Sequence, residues 1–140
     1  KKIKKYIAEK QLQKSIIFLS EKDQAAGLTD GRDLPAIYQG ATALIYPNFF
    51  EGFGIPILEA LWSGLPVVSS NVSCMPETAG NAALYADPAD ENLFAEHLFN
   101  IATNAEMGAE LKNKGRIQAA NFTQEKCAAA VMQVYKHIVK

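Results

Sequence analysis

The sequence predicts an α/β fold built on a parallel sheet, and three observations carry that prediction. Short apolar runs alternate with longer amphipathic stretches, which is the order of strand and helix in crossover units. Each apolar run is bounded by a turn residue such as Pro47, Gly64 or Pro66. The helical stretches return the chain so that successive strands run the same way, with right-handed crossovers.

The elements follow in order. Lys2 to Gln13 reads as a basic helix whose apolar stripe is Ile3, Ile7 and Leu12. Ser15 to Leu19 is short, apolar and β-branched, and reads as a buried strand. Residues 20–32 form a polar loop with Gly27, Asp30 and Gly31 as breakers. Asp33 can cap a short helix ending near Gly40. Residues 43–46 read as a second buried strand. A helix from about 54 to 62 carries Ile57, Leu58, Leu61 and Trp62 at helical spacing and stops at Gly64 and Pro66. Val67 to Ser69 is the next strand, 76–79 a single helical turn, and Ala83 to Tyr85 a last short strand. Three helices close the chain, over 92–102, 105–121 and 124–139, the last capped by Thr123.

At 140 residues the chain reads as one domain with a sizeable core. Its 49% hydrophobic and 21% charged residues are ordinary for a soluble globular protein. A net charge of −1 gives no overall attraction to nucleic acid. The apolar runs are far shorter than a membrane span. Cys74 and Cys127 are too few and too far apart for a metal site, and read as reduced, buried small residues. His97 and His137 lack ligand-spaced partners, so no metal is expected. Lysines 1, 2, 4, 5, 10 and 14 face only Glu9 on the first helix. A solvated basic face is the better reading, and docking on an anionic membrane surface the alternative.

The segment EGFGIPILE at 51–59 is the most informative. Glu51 falls on a strand-to-helix turn, and Glu59 about one turn inside the helix that follows. Gly52 and Gly54 let backbone approach a ligand, with the N–H groups of Phe53, Gly54 and Ile55 around it. A helix N-terminus at the carboxyl end of a parallel strand is an anion site in the usual ligand crevice. A carboxylate sharing that crevice suits a ligand with both phosphates and hydroxyls, since it can accept two hydroxyl hydrogen bonds. The plain alternative is a loop carboxylate favoured by the helix dipole. Trp62, Phe49 and Phe53 read as packing residues, and Glu77 as a first-turn carboxylate with no ligand.

Glu51 and Glu59 resemble the E-x7-E motif of the retaining glycosyltransferases of family 4. The likeness continues in ALWSGLPVVS at 60–69, similar to the family's EAMACGLPVVAS. It extends through Asn71 to PETAG at 76–80 and ALYADP at 83–88, and DLPAIY at 33–38 resembles DLPALY. Matching segments in the right order span roughly residues 15–140. The resemblance implies a Rossmann-like parallel sheet flanked by helices, the C-terminal half of a GT-B fold lacking its first strands. The family's strand order, 3-2-1-4-5-6, makes 16–19 strand 3, and 43–46, 67–69 and 83–85 strands 4, 5 and 6. Strand 16–19, or another copy of the chain in a homodimer, would then pair beside 43–46, the remaining alternative being that strands 1 and 2 belong to further sequence of the protein.

The resemblance also implies a function. A nucleotide-activated sugar would be donor, with retention of configuration, and no cofactor is expected. Glu51 would be catalytic, beside the donor sugar. Glu59 would take the ribose hydroxyls, with Gly52, Phe53, Gly54 and Ile55 around sugar and phosphate. Asn48 stands where the family often has Ser. Ser20 and the following loop lie where the family holds the base. The acceptor, a glycan, lipid or other small molecule, and the diphosphate-neutralising Arg and Lys would belong to segments preceding Lys1. That makes 1–140 a partial donor-binding domain, inactive alone. Polysaccharide biosynthesis in the cytoplasm, at the inner face of the membrane, is the implied setting. The rivals are a non-catalytic nucleotide- or protein-binding module and a GT-B sugar-nucleotide epimerase. Presence of both Glu51 and Glu59 disfavours the first, and the EGFG run the second.

Overall fold

A computed structural model describes residues 2–21 and 31–139. The chain divides into two compact units, Lys1–Leu34 and Pro35–Lys140.

In the first unit α1 spans Lys2–Glu9 and buries Ile7 alone. The helix ends four residues earlier than the sequence suggests, because Gln11 takes a left-handed φ of 56°. Leu12 N–H then reaches Ile7 C=O at 2.9 Å and Gln11 N–H reaches Ala8 C=O at 3.1 Å. That pair of bonds is the Schellman arrangement, here without glycine. Lys4 pairs with Glu21, and its ammonium lies 5.4 Å from the Phe18 ring centre. The expected strand at Ser15–Leu19 does not form. Residues 13–15 turn, and a 3-10 turn occupies Leu19–Glu21. Ile17 is 65% exposed and Ile16 is also exposed, so the run is not buried. An extended run with no partner strand has no ladder for its N–H and C=O groups, and composition alone cannot supply one.

The second unit carries the sheet. Helix α2 spans Leu34–Gly40, directly after Asp33. Strands β1 (Leu44–Tyr46), β2 (Val67–Ser70) and β3 (Ala83–Ala86) pair in parallel in the order β1-β2-β3. Tyr46 aligns with Ser69, and Ser70 with Ala86. The intervening elements are α3 (Ile55–Trp62) and α4 (Met75–Ala79). Helices α5 (Glu91–Thr103), α6 (Ala105–Ala119) and α7 (Gln124–Ile138) follow. This is the α/β, Rossmann-like arrangement the sequence predicts, with strands 4, 5 and 6 adjacent. No strand from 16–19 joins the sheet, so among the described residues β1 is paired on one side only. For the same reason β1 is not a buried strand, and Ile45 is 45% exposed.

The central strand explains the layers. Every residue of β2 is buried, and alternate side chains face opposite ways. Val67 packs on one face with Ile57, Leu61, Met75 and Ala119. Val68 packs on the other with Phe94, Ile101 and Leu111. The late helices are capped by polar residues: Asp90 accepts from Leu93 N–H, Asn104 from Met107 N–H, and Thr123 from Lys126 N–H. Helix α7 buries no residue. Cys127 on it is exposed and Cys74 is half-buried, so neither is the buried thiol expected.

Helices α3 and α6 meet closely at Gly115, where an added Cβ would lie 3.1 Å from Leu61 Cδ2. Leu61 is fully buried, so it has nowhere easy to move. Gly115→Val is therefore expected to cost about 1–3 kcal/mol by overpacking, read from urea denaturation. Unchanged stability would mean that α3 and α6 are not in contact there.

Candidate functional site

The site is built on the turn that leaves the carboxyl end of β1. Tyr46 ends the strand, and the chain then passes Pro47 and Asn48 to Glu51 before α3 begins at Ile55. Five groups hold Glu51 in place from both sides. The Tyr46 phenol donates to Glu51 Oε2 at 2.5 Å, and Asn48 Nδ2 donates to the same oxygen at 3.1 Å. The Gly52 N–H donates to Oε1 at 3.2 Å. Behind the side chain, Ser73 Oγ donates to the Glu51 carbonyl at 2.8 Å and accepts from the Glu51 N–H at 3.3 Å. The Cys74 thiol donates to that carbonyl at 3.2 Å.

These bonds set the electrostatics. The Tyr46 hydroxyl first, then the Gly52 N–H and Asn48, hold the Glu51 carboxyl below its usual 4.5. The charged form is thus favoured in the folded chain. Its contribution to stability is present above the usual value and lost as pH falls through the lowered one. Tyr46 moves the other way: burial, then the bond to Glu51 and its charge, push the phenol up to about 12.

Glu59 lies on the first turns of α3, exposed, and accepts a hydrogen bond from the Tyr38 hydroxyl of α2 at 3.2 Å. Burial first, then the Glu59 charge, raise the Tyr38 pKa. Each carboxylate of the pair therefore has a tyrosine at its back.

The predicted site residues take different places. Asn48 spends its amide on Glu51. Gly52 is exposed, with open space where a Cβ would be. Phe53 packs edge-on against Phe122 with ring centres 5.8 Å apart, and its carbonyl accepts from Thr78. Gly54 caps α3 at φ 84° and accepts from Ile57 N–H at 2.9 Å. Its missing Cβ faces Ile57 Cδ1 at 3.3 Å, so this glycine is demanded by backbone shape and by the core. Ile55 is 60% exposed at the first helical position, where its N–H has no intrahelical acceptor. Pro56 follows it and has no N–H to offer.

Phe49 and Trp62, expected to pack, are 72% and 53% exposed. The loop at 22–30, where the resemblance puts base contacts, lies outside the described residues, as does the Ser20 side chain. Sequence reasoning missed Tyr38, Tyr46, Ser73, Cys74 and Thr78. A tyrosine at the last position of an apolar strand was a usable signal for Tyr46. The others act across 21 to 25 positions, with nothing local to mark them.

The family model described as "Glycosyl transferases group 1" matches residues 1–118. The chain belongs to this family. It is 39% identical over 110 residues to the O-antigen chain mannosyltransferase B of Escherichia coli, covering 79% of this chain and 29% of that protein. It is 38% identical over 92 residues to the O-antigen chain mannosyltransferase RfbU of Salmonella typhimurium, covering 64% of this chain and 26% of that protein. The sucrose-phosphate synthase structure from Thermosynechococcus elongatus superimposes with a TM-score of 0.79 at 24% identity, covering 98% of this chain and 33% of that one. That likeness shows the fold alone, a Rossmann-like α/β domain of the GT-B kind. The chain thus spans about three tenths of the length of the curated relatives it matches. Among the described residues no helix is long and apolar enough to cross a membrane.

The two motif glycines should behave differently. Gly54→Val forces a β-branched residue to positive φ and into Ile57, costing of order 1–3 kcal/mol for the backbone alone. Gly52→Ala should stay within about 0.5 kcal/mol of the parent. Urea denaturation of both variants checks this, and equal stability would contradict the positive φ at Gly54.

Proposed function

We propose that this chain supplies the donor-binding site of a retaining glycosyltransferase that transfers mannose from a nucleotide-activated donor. The observation that carries the reading is Glu51. It stands partly exposed at the carboxyl end of β1, is held by three donors, and keeps acceptor capacity on Oε1. A fixed carboxylate there can accept a hydroxyl hydrogen bond from a sugar, and a charged acceptor makes the stronger bond. Glu59, one helical turn further, takes the ribose hydroxyls. Mannose is favoured because the relatives at 39% and 38% identity are both O-antigen chain mannosyltransferases.

In such a transfer the anomeric carbon exchanges its bond to the diphosphate oxygen for one to the acceptor oxygen on the same face. The acceptor's proton leaves with the diphosphate. This domain's share is positioning and electrostatics. Glu51 fixes the sugar. The Ile55 N–H at the start of α3, which has no intrahelical acceptor, would take a phosphate or sugar oxygen. The acceptor, a glycan, lipid or other small molecule, is bound by further sequence. The relatives are more than three times longer than the matched segment, which supports that division. A cytoplasmic site at the inner face of the membrane suits an O-antigen-type acceptor.

Three outcomes follow. Glu59→Ala in the full-length protein should weaken donor binding roughly 10- to 150-fold, since a hydrogen bond to a charged group is worth about 1.5–3 kcal/mol. A calorimetric screen of UDP-, GDP- and ADP-mannose reads this directly, and unchanged affinity would sink the ribose assignment. The 140-residue chain alone should turn over none of these donors, and measurable release of nucleoside diphosphate would show a more complete site. The edge of β1 that is open among the described residues should also make the isolated chain pair with a second copy, seen as a concentration-dependent dimer in sedimentation. A monomer throughout would contradict that.

A further inference from the structure

We propose that Glu51 is aimed by two positioning residues outside the paired-carboxylate motif: Tyr46, which holds its carboxylate, and Ser73, which holds its backbone. The proposal rests on the reading of Glu51 as the group beside the donor sugar.

Tyr46 leaves the sheet from a fixed point. Its backbone aligns with Ser69 in the parallel ladder, and its carbonyl accepts from Ser69 Oγ at 3.5 Å and Ser70 Oγ at 3.4 Å. Both serines are fully buried. The ring packs against the apolar core formed around Ile57 and Leu61. A phenol anchored in this way can point in one direction, and it points at Glu51 Oε2 from 2.5 Å.

Counting acceptor sites then decides which oxygen meets the ligand. A carboxylate offers about two lone-pair sites on each oxygen. Oε2 receives both Tyr46 and Asn48, so the protein fills it. Among the described residues Oε1 receives the Gly52 N–H, and that leaves a site for a sugar hydroxyl. Without the Tyr46 hydroxyl the two oxygens become nearly equivalent, and the side chain can rotate. The phenol stays protonated across the neutral range, because burial and the adjacent carboxylate raise it to about 12. The titratable groups around the pair are Tyr46 on β1, Tyr38 on α2 and Cys74 at the start of α4.

Ser73 does for the main chain what Tyr46 does for the side chain. It sits at φ 57°, in the left-handed region a side chain rarely adopts. Such a conformation persists where surrounding bonds hold it, and it clusters at ligand sites. Here one hydroxyl donates to the Glu51 carbonyl and accepts from the Glu51 N–H. The strained residue is therefore tied to both backbone groups of the residue it positions, 22 positions away.

The test compares affinity for a nucleoside diphosphate with affinity for the same nucleotide carrying mannose, in the full-length protein between pH 4 and pH 8. The nucleotide is the one retained in the UDP, GDP and ADP screen. Tyr46→Phe and Ser73→Gly should each cut the preference for the sugar-bearing form roughly 10-fold or more. Affinity for the bare diphosphate should be unchanged. In Tyr46→Phe the Glu51 carboxyl should titrate at higher pH by carbon NMR, which a purely structural tyrosine would not produce. Ser73→Gly keeps the positive φ without strain, so it reports the hydroxyl and not misfolding. If Glu51→Gln loses the sugar preference while Tyr46→Phe and Ser73→Gly keep it, with the Glu51 titration unmoved, the proposal is overturned and the functional reading stands. If Glu51→Gln keeps the preference, the functional reading fails and the proposal fails with it.

Discussion

The parallel pairing of β1 with β2 is the constraint on which the rest of the structure depends. It puts Tyr46 opposite Ser69 at the carboxyl edge of the sheet. Two buried hydroxyls, from Ser69 and Ser70, then close on the Tyr46 carbonyl. The whole candidate site lies beyond that point: the turn, Glu51, the left-handed Gly54 and the start of α3. Slipping the pairing by one residue would turn Tyr46 to the other face and send its phenol away from Glu51.

A second constraint works from the opposite side. The loop between β2 and α4, together with α4 itself, returns to the turn and ties it at three places. Ser73 and Cys74 bond the Glu51 backbone, and Thr78 bonds the Phe53 carbonyl. A turn containing two glycines would otherwise be among the most mobile parts of the chain. Tied in this way it becomes a rigid platform, and rigid placement of a carboxylate is what binding a sugar hydroxyl in one pose requires.

Most of this architecture was legible in the sequence, for reasons that differ by element. Val67 to Ser69 is short, β-branched and bounded by Pro66, so a strand was the natural reading, and the structure extends it to Ser70. Helix α3 announced itself by apolar spacing and by Gly64 after its end. The run at 15–19 looked like the same kind of strand and is not one. Its composition fits a strand, but strand formation needs a neighbour, and a neighbour is a property of the fold. Glu51 and Glu59 could be named from spacing. What orients them could not, since Tyr38 and Ser73 reach them across 21 and 22 positions. Gly54 was read as room for a ligand, yet its Cβ position faces Ile57. Sequence marks where a glycine is needed but not which side of the chain needs the room.

Family membership and fold leave the central claim with one direct test. It is that the Glu51 carboxylate, held at the end of β1, meets the donor sugar. A crystal structure of the full-length protein with bound nucleotide-mannose measures this. The account predicts a mannose hydroxyl about 2.5–3.0 Å from Glu51 Oε1, with Tyr46 and Asn48 still on Oε2 and the ribose at Glu59. A donor whose sugar lies away from Glu51, or a Glu51 released from Tyr46 in the complex, would contradict it.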